Sequence, residues 1–268
     1  MSLTRRVDDA RKGYATGDGR LSAEAHSRER IAEAAREEHG AASHAYLGDL
    51  VYGGLDGIVT TFAVVSGVAG AQLDNRIVLI LGLANLFADG FSMATGAFLS
   101  SKSEQEYYER EKEREAWEVD HFPDGERAEL EEVYLARGYS AEDARGMTAI
   151  LTRDRDRWVQ AMMVDELGLM PDERKPLNSA LATFIAFVVA GSLPLLIYLL
   201  GLLVPVSSQV QFPVSLVLSA AALFGLGAAK VFVTERNFVR SGLEMLIVGG
   251  LAAAVAYVVG ALLKGIGG

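Results

Sequence analysis

The fold is decided by residues 77–120, IVLILGLANLFADGFSMATGAFLSSKSEQEYYEREKEREAWEVD, which change from apolar to strongly charged without a proline. The apolar part, residues 77–100, is long enough to cross a bilayer, which takes about 20 residues as a helix. The charged part contains neither proline nor glycine before Pro123, so nothing in it ends a helix. We therefore predict one long helix that begins in a membrane and continues into water.

Four further apolar stretches have membrane length, at residues 47–70, 179–204, 212–233 and 243–264. In hydrocarbon such segments must be helical, because unpaired backbone groups cost several kcal/mol there. The predicted fold class is an all-α membrane protein of five transmembrane helices, with a cytoplasmic helical domain between helices two and three. The predicted organisation is a polar cytoplasmic tail (1–45), transmembrane helices one and two (46–101), the acidic helical domain (102–177), and transmembrane helices three to five (178–268).

The predicted acidic domain carries most of the negative charge of the chain. It holds 21 of the 35 Asp and Glu residues but only 12 of the 25 Lys and Arg residues, which accounts for nearly all of the net charge of −10. This acidic balance argues against a nucleic-acid partner. The absence of cysteine excludes disulfides and thiolate metal sites, so any metal must be held by oxygen, nitrogen or thioether sulfur.

Basic residues alternate between the loops. The N-terminal tail is rich in arginine, the segment between the third and fourth stretches has no basic residue, and the next loop carries Lys230, Arg236 and Arg240. The positive-inside tendency places the N-terminus and the acidic domain in the cytoplasm, and five spans then place the C-terminus outside.

Polar residues within the first two membrane stretches form candidate transport-path positions. Asp49 and Asp56 are seven residues apart on one helix face, and Asn85, Asp89 and Met93 follow one another at intervals of four. A carboxylate at membrane depth costs at least ~2.5 kcal/mol, so it normally faces a protein interior or a water path. The alternative is that Asn85 and Asp89 bond to neighbouring helices and that Met93 is ordinary apolar packing.

The acidic domain is predicted to contain several helices. A turn at residues 123–125 would separate the long helix from a second one over residues 126–137. Ser140 and Asp143 have the spacing of a capping box for a third helix. A fourth, over residues 154–169, would end before Pro171.

Candidate metal ligands in this domain share helix faces through their i, i+3 and i, i+4 spacing. Carboxylates alone suit Mg²⁺, Ca²⁺ or Mn²⁺, and added thioethers favour Fe²⁺ or a later transition metal. The alternative is a solvated helix face, since many of the glutamates have Lys or Arg three or four residues away. The candidate ligands are Glu115, Glu118, Glu126, Glu129, Met162, Met163 and Glu166.

Several motifs together resemble the vacuolar iron transporter family, in a prokaryotic-type member. They are LDGIVTTFAVVSG (55–67), FSMATGAFLSSKSE (91–104), PDGERAEL (123–130), WVQAMMVDELGL (158–169) and PLNSAL (176–181). The resemblance covers nearly everything from Tyr46 onward and leaves the N-terminal tail outside. It implies a dimer of five-helix subunits with the ion path at the interface, and a cytoplasmic metal-binding domain.

The resemblance also assigns roles to residues. Asp56 and Met93 fall on the family's membrane ion site, and all seven candidate ligands of the acidic domain fall on its cytoplasmic metal ligands. Asn85 stands where plant members have a glutamate, and an acid is present one turn further on, at Asp89. The group that couples transport to protons therefore need not be the same.

These observations predict a homodimeric transporter, not an enzyme, that exports Fe²⁺ from the cytoplasm by proton antiport. Mn²⁺, Co²⁺ and Zn²⁺ are alternative cargoes, no prosthetic group is expected, and the predicted location is a prokaryotic inner membrane. The rival functions are a membrane-anchored metal-storage protein and a ferroxidase, neither of which transports metal. The ferroxidase is disfavoured because the chain has only four histidines.

Overall fold

The computed structural model describes residues 5–34, 46–172, 174–229 and 237–264. These residues form helices and connecting segments, with no β-strand among them. Part of the predicted polar tail, residues 35–45, lies outside the described residues, as do Lys230 and Arg236 of the basic loop. In the described tail, α1 (Arg5–Thr16), α2 (Gly19–Ala25) and α3 (Arg28–Ala34) are linked by Arg30, which donates to Asp9 at 2.6 Å and to Glu24 at 2.9 Å.

Five helices are long and apolar enough to cross a membrane, which confirms the prediction of five such segments. They are α4 (Leu47–Gly70), α5 (Asn75–His121), α9 with α10 (together 176–203), α11 (Ser208–Ala229) and α12 (Phe238–Leu262). The sequence predicts one helix for the third segment, but the structure shows a helix that is interrupted. α9 (Pro176–Gly191) ends before a short 3₁₀ turn (Leu193–Leu195), and α10 (Leu196–Leu203) follows. Pro194 explains the break, because proline lacks the N–H that an α-helix needs.

Glycines allow α4 to approach α9 at backbone distance. A Cβ added at Gly53 would lie 2.6 Å from the carbonyl oxygen of Thr183, and one added at Gly57 would lie 2.4 Å from that of Phe187. This is the close approach that small residues four apart permit between membrane helices.

The same kind of contact joins α4 to α12 near the other end of α4. A Cβ at Gly70 would lie 2.2 Å from the carbonyl oxygen of Tyr257, and one at Gly260 would lie 2.1 Å from that of Gly67. No side chain fits at either position, so glycine is required there by space alone.

The chain divides into two compact units, one of residues 1–94 with 178–268 and one of residues 95–177. The core of the first includes Phe62, Val65, Leu86, Phe187 and Leu195, all at most 3% exposed. The helix α5 contributes residues to both units.

The second unit, called the acidic unit below, contains the end of α5 followed by α6 (Pro123–Ala136), α7 (Ala141–Leu151) and α8 (Arg155–Ala161). The predicted turn at residues 123–125 was placed too late. The chain turns at Phe122, and Pro123 is already helical, at the first-turn position where its missing N–H costs nothing. The predicted cap of α7 is confirmed, because the Ser140 hydroxyl accepts from the Asp143 N–H at 3.1 Å.

The predicted fourth helix of this unit, over residues 154–169, is shorter and of two kinds. α8 ends at Ala161, and residues Met162–Glu166 form a π-helical turn in which the Leu167 N–H donates to the Met162 carbonyl at 3.1 Å. Gly168, with φ of +66°, then reverses the chain. π-turns of this kind occur frequently at functional sites.

Candidate metal centre

Five glutamates of the acidic unit form one continuous cluster, called the glutamate cluster below. Carboxylate oxygens of Glu115, Glu118 and Glu126 lie within 4.8 Å of one another, and so do those of Glu126, Glu129 and Glu166. Because Glu126 belongs to both groups, the two groups adjoin. These oxygens could hold a divalent cation, for which carboxylates are suitable ligands.

Helix geometry explains how the cluster is built. Glu115 and Glu118 are one turn apart at the end of α5, and Glu126 and Glu129 are one turn apart at the start of α6. The turn at Phe122 places the two pairs beside each other. The π-turn adds Glu166 from a third segment.

Two members of the cluster are buried and incompletely bonded. Glu115 is 1% exposed and Glu126 is 4% exposed. The Oε2 atom of each has no hydrogen-bond partner among the described residues. A buried carboxylate oxygen without a partner is costly, since its hydration is lost and nothing replaces it. These two oxygens are therefore buried acceptors that a bound cation could satisfy.

The electrostatics of the cluster reflect this crowding. Burial first, and then the negative charge of neighbouring carboxylates such as Glu115 and Glu129, raises the pKa of Glu126 and of Glu166 to about 7. Near neutral pH both groups thus exist partly as neutral acids. A divalent cation would supply the positive charge that the cluster lacks.

Arg114 is the cationic contact of the cluster that sequence reasoning missed. Its guanidinium donates to Glu115 at 2.5 Å, to Glu118, and to Glu111 at 3.0 Å. From the sequence alone, Arg114 is one of several basic residues three or four positions from a glutamate, here Glu111. Its i, i+4 spacing to Glu118 was the signal that could have revealed the contact.

The two predicted methionine ligands lie in the apolar core of the acidic unit. Met162 and Met163 are 0% exposed and belong to a cluster that includes Val119, Leu130 and Trp158. Val119 and Leu130 are the residues directly after Glu118 and Glu129. The methionines thus lie in the apolar interior of the acidic unit, and they share the π-turn with Glu166.

Asp165 anchors this π-turn. It accepts from the Tyr134 hydroxyl at 2.9 Å and from Arg137 at 2.5 Å, and its backbone carbonyl accepts a second bond from Arg137 at 2.6 Å. Burial and the bond to Asp165 raise the pKa of Tyr134 to about 12, so its hydroxyl stays protonated and donating. Sequence reasoning did not identify this contact, because Tyr134 and Asp165 are 31 residues apart.

The candidate path residues lie in the other unit, on α4 and α5. Asp56 lies on α4 and Asp89 on α5, and both helix segments belong to the first unit. The Asp49 Oδ2 and the Asn85 Nδ2 are buried and have no hydrogen-bond partner among the described residues. Met93 is partly buried against the apolar core, so its placement also fits ordinary packing.

The fold thus defines an all-helical membrane protein with an attached acidic unit. The sequence profile of the VIT family matches residues 47–261. The chain is 39% identical to a vacuolar iron transporter of Toxoplasma gondii, over 97% of this chain and 89% of the relative. It is 31% identical to one of Plasmodium falciparum, over 98% of each. It is 35% identical to vacuolar iron transporter 1 of Arabidopsis thaliana, over 78% of this chain and 82% of the relative.

The chain therefore belongs to the vacuolar iron transporter family, as its motifs indicated. The family profile begins at residue 47, which agrees with the expectation that the N-terminal tail lies outside the family resemblance, whereas the match to the Toxoplasma relative extends further. A match over 97% of the chain must include most of that tail, whereas the match to the Arabidopsis relative covers 78%.

Proposed function

We propose that this protein carries Fe²⁺ across a membrane, out of the cytoplasm and in exchange for protons. The glutamate cluster is the observation that carries the proposal, because it combines oxygen ligands with buried oxygens that lack partners. The names of the relatives support iron as the cargo. Mn²⁺, Co²⁺ and Zn²⁺ are further cargoes that such ligands accept.

The acidic unit would collect the metal from the cytoplasm. Its ligands would be Glu115, Glu118, Glu126, Glu129 and Glu166, all of which lie in the cluster. Met162 and Met163 would add thioether sulfur, which favours Fe²⁺ over Mg²⁺ or Ca²⁺. They share the π-turn with Glu166, which is the observation that supports this role.

The membrane helices would provide the path. Asp56, Asp89 and Met93 would bind the ion in transit, with Asn85 and Asp49 as further polar positions of the path. Protonation of a membrane carboxylate would weaken its hold on the metal and return charge, since an intramembrane acid can act as a proton relay. Asp56 and Asp89 would be the candidates for this coupling group.

The proposed assembly is a homodimer in a lipid bilayer, with the N-terminus and acidic unit in the cytoplasm and the C-terminus outside. The alternation of basic residues between the loops supports this orientation. The relatives reported above are all eukaryotic, so they lend no support to the predicted prokaryotic inner membrane.

The test is Fe²⁺ flux into proteoliposomes under an imposed pH gradient, with anaerobic conditions to keep the iron reduced. We expect Fe²⁺ to enter the liposomes while protons leave them, so that the pH inside the liposomes rises as Fe²⁺ accumulates. Binding without flux would instead favour the storage protein. Oxygen consumption on addition of Fe²⁺, with no flux, would favour the ferroxidase.

A further inference from the structure

We propose that Arg114 occupies the metal-binding carboxylates of the glutamate cluster when no metal is bound, and that it thereby lowers the affinity of the site. The proposal rests on the proposed function, since it takes the cluster to be the metal site. It assigns a role to a residue that is not itself a ligand.

The contacts of Arg114 place its charge on the same carboxylates that a metal would use. One guanidinium nitrogen donates to Glu115 at 2.5 Å, and another donates to Glu118. Both carboxylates belong to the group whose oxygens lie within 4.8 Å of one another. A cation bound by that group and the guanidinium would therefore compete for the negative charge of the same two carboxylates.

The position of Arg114 allows it to leave. Its side chain is 43% exposed, whereas the side chain of Glu115 is 1% exposed. Its third contact, from Nε to Glu111 at 3.0 Å, is to a carboxylate outside the cluster. When a metal takes Glu115 and Glu118, Arg114 retains this partner, so its displacement does not leave an unpaired charge.

The negative charge of the glutamate cluster explains why Arg114 stabilises the metal-free state. Within the described residues, Glu126, Glu129 and Glu166 have no ion-pair partner, and Arg114 is the cation paired with Glu115 and Glu118. A buried carboxylate without a compensating cation is strongly unfavourable. Arg114 therefore stabilises the metal-free site, and a bound metal must first overcome that stabilisation.

The consequence is a site that binds metal less tightly than its ligands alone would allow. For a site that collects cargo for transport this is useful, because an ion held too tightly leaves too slowly. Removal of the guanidinium should therefore increase affinity. Loss of structure cannot produce that effect, because a damaged site binds more weakly.

The experiment is an anaerobic Fe²⁺ titration, by calorimetry, of the full chain in detergent. We expect Arg114→Gln to bind Fe²⁺ roughly five- to tenfold more tightly than the unchanged protein, since the charge-assisted bonds to Glu115 and Glu118 are made in the metal-free state only. The matched control is Arg127→Gln, which removes the same charge next to Glu126. Arg127 bonds Asp124 and lies over the Trp158 ring, so this control does not vacate the cluster.

A second variant, Arg114→Lys, keeps the charge but loses the fork geometry that contacts several carboxylates at once. We expect it to bind Fe²⁺ more tightly than the unchanged protein and less tightly than Arg114→Gln. If Arg114→Gln does not fold, the Fe²⁺ affinity of Arg114→Lys tests the proposal in its place. Equal or weaker Fe²⁺ binding by the folded Arg114 variants, beside an unchanged protein that binds, would overturn the role of Arg114 alone. Failure of the unchanged protein to bind Fe²⁺ would overturn the metal site itself.

Discussion

The two units of this protein handle carboxylates in opposite ways. The acidic unit concentrates them, so that five glutamates share one cluster and an arginine partly neutralises it. The membrane unit keeps Asp56 and Asp89 on separate helices among apolar and glycine contacts. A carboxylate in hydrocarbon is costly, and burial imposes a similar cost in the acidic unit, where Arg114 offsets part of it at Glu115 and Glu118. A bound cation would offset the rest of the charge in the cluster.

The largest effect that this comparison predicts is in the membrane unit. Asp56→Asn should reduce Fe²⁺ flux in proteoliposomes by at least ~100-fold, because an amide can neither supply charge to the ion nor take up a proton. Fe²⁺ binding by the acidic unit should be unaffected. The control is Asp74→Asn, which changes an exposed carboxylate beyond the end of α4. Normal flux through the Asp56 variant would show that the path lies elsewhere.

In the acidic unit, Glu126→Gln should weaken Fe²⁺ binding by roughly 10- to 100-fold, in line with the loss of a charged ligand. Glu126 is shared by both groups of the cluster, so its loss affects each. The matched control is Glu132→Gln, on the same helix but exposed and outside the cluster. Calorimetric titration of both variants checks this, and equal affinities would mean that the cluster is only a charged surface.

The membrane unit should also be the less tolerant of added volume. Gly57→Ala should destabilise the protein by about 1–3 kcal/mol, because overpacking forces backbones apart. The new Cβ would meet the Phe187 carbonyl oxygen at 2.4 Å. Gly48→Ala on the same helix is the control, since no atom lies within 4 Å of its added Cβ. Thermal unfolding in detergent measures both, and equal midpoints would contradict the close packing.

The smallest effect is a pH dependence confined to the acidic unit. The pKa of Glu126 and of Glu166 is raised to about 7, above the ordinary 4.5, so the folded protein binds more protons than the unfolded chain between these values. The metal-free free energy of unfolding should therefore fall as pH rises through this window and level off near pH 7. Fe²⁺ affinity should rise over the same window, because fewer protons need to be displaced.

Titrations between about pH 5 and 8 check both trends, with proton release measured from the buffer dependence of the binding enthalpy. Glu126→Gln removes one of the two groups and should reduce the size of the stability change over the same window. Pure solvent-exposed carboxylates would titrate near 4.5 and leave stability flat above pH 6, which would contradict the buried cluster.

Much of this architecture was predictable because it depends on short-range patterns. Apolar runs of membrane length gave the five helices, and the absence of proline and glycine after Gly96 gave the single helix from Asn75 to His121. The i, i+3 spacing of Glu115 with Glu118 set their common face. The proximity of this pair to Glu126 was predictable because only a short turn separates the end of α5 from the start of α6.

The parts that were missed depend on contacts distant in sequence or on small local energies. Nothing in the pattern distinguishes a π-turn at Met162 from another turn of α-helix. Asp165 finds Tyr134 across 31 residues, and no spacing rule reaches that far. Arg114 resembled any other helix-face cation until the fold placed Glu115 in the interior.

The glycine contacts of α4 have a consequence for motion. A slide of α4 by one residue relative to α9 would replace Gly57 by Asp56 or Ile58, whose side chain would meet the carbonyl oxygen of Phe187. The contacts at Gly70 and Gly260 oppose the same slide against α12. These close contacts therefore fix the register of α4 against both α9 and α12. A conformational change within this unit would have to preserve the two interfaces and take place at other helix contacts.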